Sequence, residues 1–201
     1  MHIVAKMIPY KPGPNRKLGL KRVNKDSSLE GEGQLNLFRA GHETANLKRI
    51  HHLDPFEQAL QIDGKNDHLA EKLYLEAVKR SECKADAYCN LGILRARKGE
   101  TAKAVQCFTL ALKENPRHAE AHYNLANMFY DAGNIELAIT HYEIAAEMDS
   151  FSEIHFNLAL AYLSSSRTDE AKAALEIYLK SCSEPEAAEA RPLLNLLNLN
   201  I

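Results

Sequence analysis

Small, apolar and polar positions recur along most of the chain at one fixed spacing. Ala70, Ala104, Ala138 and Ala171 stand 34, 34 and 33 residues apart. Tyr74, Phe108, Tyr142 and Leu175 keep the same step, as do Leu91, Leu125 and Leu158. Among polar residues, Asn90, Asn124 and Asn157 follow it too. The apolar stripes within each period predict pairs of helices at about 86–98 with 101–114, 119–132 with 135–148, and 152–164 with 168–181. A degenerate earlier pair has its first helix somewhere in 43–62 and its second at Asp67–Arg80. Asp54-Pro55 is a good start for that first helix, with Asp as cap and Pro in the first turn. Phe56, Ala59 and Leu60 make its stripe, and Gly64 ends it. Gly99 and Gly133 fall in the turns between helices, where a left-handed residue is useful, and Ser164-Ser165-Ser166 replaces them in the last unit. Glu186–Asn198, with Leu193, Leu194, Leu196 and Leu197, predicts a terminal helix over the exposed side of the last pair.

A period of this length marks a stacked repeat architecture. In the unit from Ala85 to His118, Tyr88, Leu91, Gly92, Ala104, Phe108, Ala111 and Pro116 occupy the recurring places. In the next they are Tyr123, Leu125, Ala126, Phe129, Ala138, Tyr142 and Ala145, with Ser150 in place of the proline. The third unit has Phe156, Leu158, Ala159, Tyr162, Ala171 and Leu175. The earliest keeps Ala70, Tyr74 and Ala77. On these residues the chain resembles the tetratricopeptide repeat (TPR) family over roughly 51–185. It departs from the family at Arg95, where an aromatic is usual, and at Tyr178, where a small residue is usual.

The resemblance implies an all-α, right-handed solenoid of three clear repeats and one degenerate N-terminal repeat, closed by a C-terminal capping helix. Residues 1–50 are then a basic extension and linker, 51–185 the repeats (about 51–84, 85–118, 119–151 and 152–185), and 186–201 the cap. One helix pair cannot bury its own stripe, so neighbours must stack and the ends need covers.

In this family the first helix of each pair, helix A, lines the inner surface. The inward positions carry over as Asp86, Glu120 and Glu153; Cys89, Tyr123 and Phe156; Asn90, Asn124 and Asn157; Ile93, Asn127 and Leu160; and Arg97, Asp131 and Ser164. A primary amide offers a donor and an acceptor, which match a peptide bond. Resemblance to members with an asparagine ladder implies that Asn90, Asn124 and Asn157 hold an extended backbone. Asn at this place also bonds its own neighbours in the family. Tyr123, Tyr130 and Phe156 would add apolar contact. Asp86, Glu120, Asp131 and Glu153 would favour a basic or neutral partner. Members that grip the C-terminal carboxylate of heat-shock chaperones use Lys and Arg at inward places. Here those places hold Cys89, Glu120, Glu153 and Asn157, so that role is rejected.

Charge refines the picture. The formal net charge is only −2, but residues 1–25 hold Lys6, Lys11, Arg16, Lys17, Lys21, Arg22 and Lys25 and no acid. The rest of the chain carries 18 basic and 27 acidic residues. This basic arm has three readings: a solvated leader, a segment folded back on the acidic repeats, or a contact to phosphate backbone. Nucleic acid ranks last, because only Tyr10 is there to stack on a base.

Gln34-Leu35-Asn36-Leu37-Phe38 resembles the peptide, Gln-Leu-x-Leu-Phe, by which many bacterial replication and repair proteins dock on the DNA polymerase sliding clamp. In that reading Gln34 bonds at the pocket rim, and Leu35, Leu37 and Phe38 supply the apolar side. The same alternation suits a segment packed on the first helix pair.

No run of 18 apolar residues predicts a membrane span, and the start is too short in apolar residues for a secretory leader. Cys83, Cys89, Cys107 and Cys182 show no metal-ligand spacing and read as free thiols in a reducing, cytoplasmic setting. His118 and His122 lie four apart, but no Glu completes a zinc-hydrolase arrangement. No catalytic group, metal or cofactor is expected. The leucine-rich end permits pairing of two copies without requiring it.

Overall fold

The computed structural model of the chain describes residues 54–80, 83–148 and 151–199. Among these, every regular element is a helix. In order they are α1 (Pro55–Ile62), α2 (Asp67–Arg80), α3 (Lys84–Arg97), α4 (Thr101–Glu114), α5 (Ala119–Asp131), α6 (Ile135–Met148), α7 (Ser152–Ser164), α8 (Thr168–Ser181) and α9 (Glu184–Leu199). Successive pairs form hairpins: α1 with α2, α3 with α4, α5 with α6, and α7 with α8. Each hairpin packs on the next, α9 lies on α8, and α3 also meets α5.

The recurring positions are the core. Ala70, Ala104, Ala138 and Ala171 are all fully buried, and Tyr74, Phe108, Tyr142 and Leu175 lie beside them. Small residues let two helices of a hairpin approach, and the rings fill the space above them. Gly92 shows how close this is: an added Cβ would stand 2.6 Å from Phe108 Cε1. The last three hairpin turns close the same way. Glu100 N–H donates to Arg95 O, Asn134 N–H to Phe129 O, and Arg167 N–H to Tyr162 O, a Schellman pattern. Gly99, Gly133 and Ser166 take the positive-φ place, at 75°, 78° and 61°. Only the serine is strained there.

Arg95 and Tyr178, which depart from the expected repeat pattern, each have local partners. Arg95 lies against α2, where its guanidinium pairs with Glu71 at 2.7 Å and with Glu100 at 2.9 Å. Lys98 adds a 2.6 Å pair, and its bond to Glu71 is the chief cause that holds that carboxyl below the ordinary range. Tyr178 packs against Phe156 at a tilt, with ring centres 5.0 Å apart. Ala190 of α9 is fully buried in the same apolar core as Tyr178.

At the start of the array, Asp54 Oδ1 accepts from Phe56 N at 2.7 Å and Glu57 N at 2.9 Å, so it caps α1 as its position suggests. α1 has 8 residues, against 14, 13 and 13 in α3, α5 and α7. The expected range of 43–62 for this helix falls partly outside the described residues. α9 begins at Glu184 and runs through Pro192.

Candidate functional site

The A helices α3, α5 and α7 stand side by side, and their facing side chains join one repeat to the next. Asn157 Nδ2 donates to the Tyr123 hydroxyl at 2.8 Å and to Asn127 Oδ1 at 3.1 Å. Asn127 Oδ1 also accepts from the buried Tyr142 hydroxyl at 2.5 Å. Tyr130 and Ser164 meet through their hydroxyls at 3.0 Å. Asn124 Nδ2 lies 3.8 Å from Cys89 Sγ. These contacts make one continuous wall.

The asparagines sit deeper in that wall than an open ladder requires. Asn90 and Asn124 are each 2% exposed, and Asn157 is half-buried. Asn124 donates to Glu120 O, in its own helix, at 2.7 Å. The spacing of the three residues is regular, but it does not fix where each amide turns. In α5 and α7 it turns toward residue five of the preceding A helix, Cys89 or Tyr123. These amides are therefore braces between repeats, and an open row of three is not what the A helices present.

The other expected residues divide in two. Cys89, Ile93, Tyr123, Asn127 and Glu120 are buried. Burial, with the charge of Glu120 second, pushes the Cys89 thiol far above its ordinary range. The Tyr123 ring packs edge-on against Phe151, with centres 6.1 Å apart. Arg97 is not directed along the wall; it pairs with Asp63 and, at 3.3 Å, with Asp67 of the preceding hairpin. What remains toward solvent is exposed Asp131 and Glu153, with half-buried Tyr130, Phe156, Asn157 and Leu160. Asp86 is half-buried beside α5, 3.2 Å from His118 Nε2.

His118 and His122 are occupied separately. His118 Nδ1 accepts from Ala121 N at 3.2 Å, capping α5, which places the proton on Nε2 facing Asp86. Its Nδ1 also lies 3.3 Å from Glu120. His122 Nε2 donates to Pro116 O at 3.1 Å, and its Nδ1 faces His141 Nδ1 at 2.9 Å. With His122 protonated on Nε2, His141 must carry its proton on Nδ1. Burial lowers both histidines below their ordinary range. This pair was not visible in the sequence, since the residues lie on opposite helices of a hairpin. Among the described residues no group of three or more His, Cys, Asp or Glu is placed to hold a metal ion. Nor is any helix long and apolar enough to cross a membrane. Gln34, Leu35, Leu37 and Phe38 lie outside the described residues.

Known proteins agree with this architecture. Residues 89–153 and 152–182 match models of the tetratricopeptide repeat. Tetratricopeptide repeat protein 8 of Mus musculus is 38% identical over 86 residues, which cover 42% of this chain and 17% of that protein. The human counterpart matches equally, so the chain spans about a sixth of these relatives. Among solved structures, MamA of Desulfovibrio magneticus RS-1 has a TM-score of 0.59 at 19% identity, covering 78% of this chain and 85% of that one. YrrB, described as a TPR protein with an unusual peptide-binding site, has a TM-score of 0.60 at 18% identity, covering 77% and 80%. The first TPR of Spaghetti (RPAP3) bound to the HSP90 peptide SRMEEVD has a TM-score of 0.53 at 20% identity, covering 58% and 91%. These structures share the fold.

Proposed function

We propose that this array of tetratricopeptide repeats is a non-enzymatic protein–protein adaptor. Its ligand is an extended peptide, basic or neutral, held against the wall of α3, α5 and α7. The observation that supports this most is charge. From His118 to Ser166 the chain has no Lys or Arg, and Glu120, Asp131 and Glu153 of that stretch stand on the A helices. Tyr130 and Phe156 lie among them and offer apolar surface. Asn157 and the braces around it keep the wall rigid, which reduces the ordering cost of binding.

Two proteins of the same fold are described by their peptide sites, YrrB and the Spaghetti domain. The peptide on the second, SRMEEVD, has three acidic residues and one basic. The wall here has the opposite preference, so the partner differs in charge. Binding spread over a few exposed charges and two rings gives modest affinity.

The test is fluorescence anisotropy with three labelled unstructured peptides of equal length, rich in Lys, in Gly and Ser, or in Glu. The Lys-rich peptide binds best and the Glu-rich one worst. Changing Asp131→Asn and Glu153→Gln together weakens the Lys-rich peptide about 2- to 30-fold, at ~0.2–1 kcal/mol for each exposed charge. Equal binding of all three peptides would contradict the reading.

A further inference from the structure

We infer that residues 1–25 of this chain are themselves a ligand for the acidic wall, so that the protein masks its own site until a better-matched peptide displaces them. This rests on the peptide-binding reading and names one occupant of the same surface.

The charges match in kind. Residues 118–166 contain no Lys or Arg, and their carboxylates on the A helices are Glu120, Asp131 and Glu153. Residues 1–25 contain seven cations and no acid. Pro9, Pro12, Gly13 and Pro14 oppose a helix there, so this segment favours the extended form that a wall of parallel helices accepts.

The second observation is an orphaned amide. In later repeats the asparagine reaches residue five of the preceding A helix: Asn124 meets Cys89, and Asn157 meets Tyr123. For Asn90 the equivalent residue of α1 is Pro55, which has no polar side-chain atom, and Asp54 beside it is occupied as the helix cap. Asn90 is 2% exposed, and its Nδ2 is the one buried side-chain atom among the described residues that lacks a hydrogen-bond partner. Leaving such a group unpaired costs roughly 1–3 kcal/mol. A backbone carbonyl of a chain lying along α3 would satisfy it. The chain that precedes α1 is the nearest in sequence able to supply one.

The tether is long enough. Residues 26–53 are 28 residues. Even wholly helical, they would reach about 42 Å, twice the length of a 14-residue helix. A tethered ligand works at an effective concentration on the order of mM. If its intrinsic Kd is about 0.1 mM, it is mostly bound and weakens a competing peptide roughly tenfold.

Carbodiimide cross-linking of the full-length chain at low protein concentration tests this directly, since it joins a Lys amine to a carboxylate in contact with it. The products are mapped by mass spectrometry. Expected are intramolecular links from Lys6, Lys11, Lys17, Lys21 or Lys25 to Asp131 or Glu153, lost on raising salt from 50 to 500 mM. Absence of such links, or equal linkage to Glu136, Glu143 and Glu147 of α6, would overturn the inference. A second arm changes all seven cations to Gln in the full-length chain and titrates the Lys-rich peptide. Its binding should tighten roughly tenfold. Unchanged binding overturns the masking and leaves the adaptor reading standing; failure of the peptide to bind either protein, with tail links present, supports the tail as ligand and counts against an external one.

Discussion

Gly92→Ala separates two opposing effects at a single atom. Gly92 lies inside α3, where Ala is preferred over Gly by about 0.8–1.0 kcal/mol. Propensity alone therefore predicts stabilisation. The added methyl would stand 2.6 Å from Phe108 Cε1 and 2.8 Å from Cδ1, and Phe108 is 1% exposed with little room to yield. Overpacking a core costs roughly 1–3 kcal/mol. The sum is a net loss from near zero to about 2 kcal/mol. In the last repeat Leu175 and Ala159 occupy these two places, so a smaller side chain at 108 should accept alanine at 92. In a Phe108→Leu background, Gly92→Ala is expected to stabilise by up to about 1 kcal/mol. Urea unfolding of the four proteins, followed by far-UV circular dichroism, gives the coupling, expected at about 1–3 kcal/mol. Stabilisation by Gly92→Ala of the same size in both backgrounds would refute the close approach of α3 and α4.

Further outcomes follow from the braces and the caps. Tyr142→Phe leaves Asn127 Oδ1 with Asn157 alone and should cost about 0.5–1.5 kcal/mol in urea unfolding, non-additively with Asn157→Ala. Asp54→Ala removes both cap bonds of α1 and should cost about 1 kcal/mol, seen as faster hydrogen exchange confined to the first hairpin. His122 and His141 have folded pKa values below the ordinary 6.5, so the unfolded chain takes up protons first as pH falls. Their contribution is intact above about pH 6.5 and is lost as pH drops through the lowered values. The urea midpoint should fall from pH 7 to 5, and more gently in His141→Phe; a midpoint that rises on acidification would contradict the buried pair.

The sequence carries the fold in its burial pattern. Ala104, Ala138 and Ala171 recur because every hairpin needs the same close approach, and that requirement is local to each period. The turns at Gly99 and Gly133 were legible for the same reason. Compensations were not. Arg95 reads as a departure, but Glu71, which accommodates it, lies 24 residues earlier and on another helix. Tyr178 reads as one too, while the Phe156 ring and Ala190 that share its core lie on other helices. For the site, the register of the three asparagines was visible and the direction of their amides was not. That direction depends on whether the preceding A helix offers a thiol, a hydroxyl or nothing. Arg97 was misplaced likewise, because Asp63 and Asp67 draw it back to the first turn.

On this reading the A-helix wall, not the B-helix face, receives a basic or neutral peptide. Backbone amide shift mapping of the isotope-labelled full-length chain, titrated with the Lys-rich peptide, tests it most directly. Shifts should concentrate on α5 and α7, around Glu120, Asp131, Glu153 and Phe156, and extend to α3. Shifts confined to α4, α6 and α8 would contradict it.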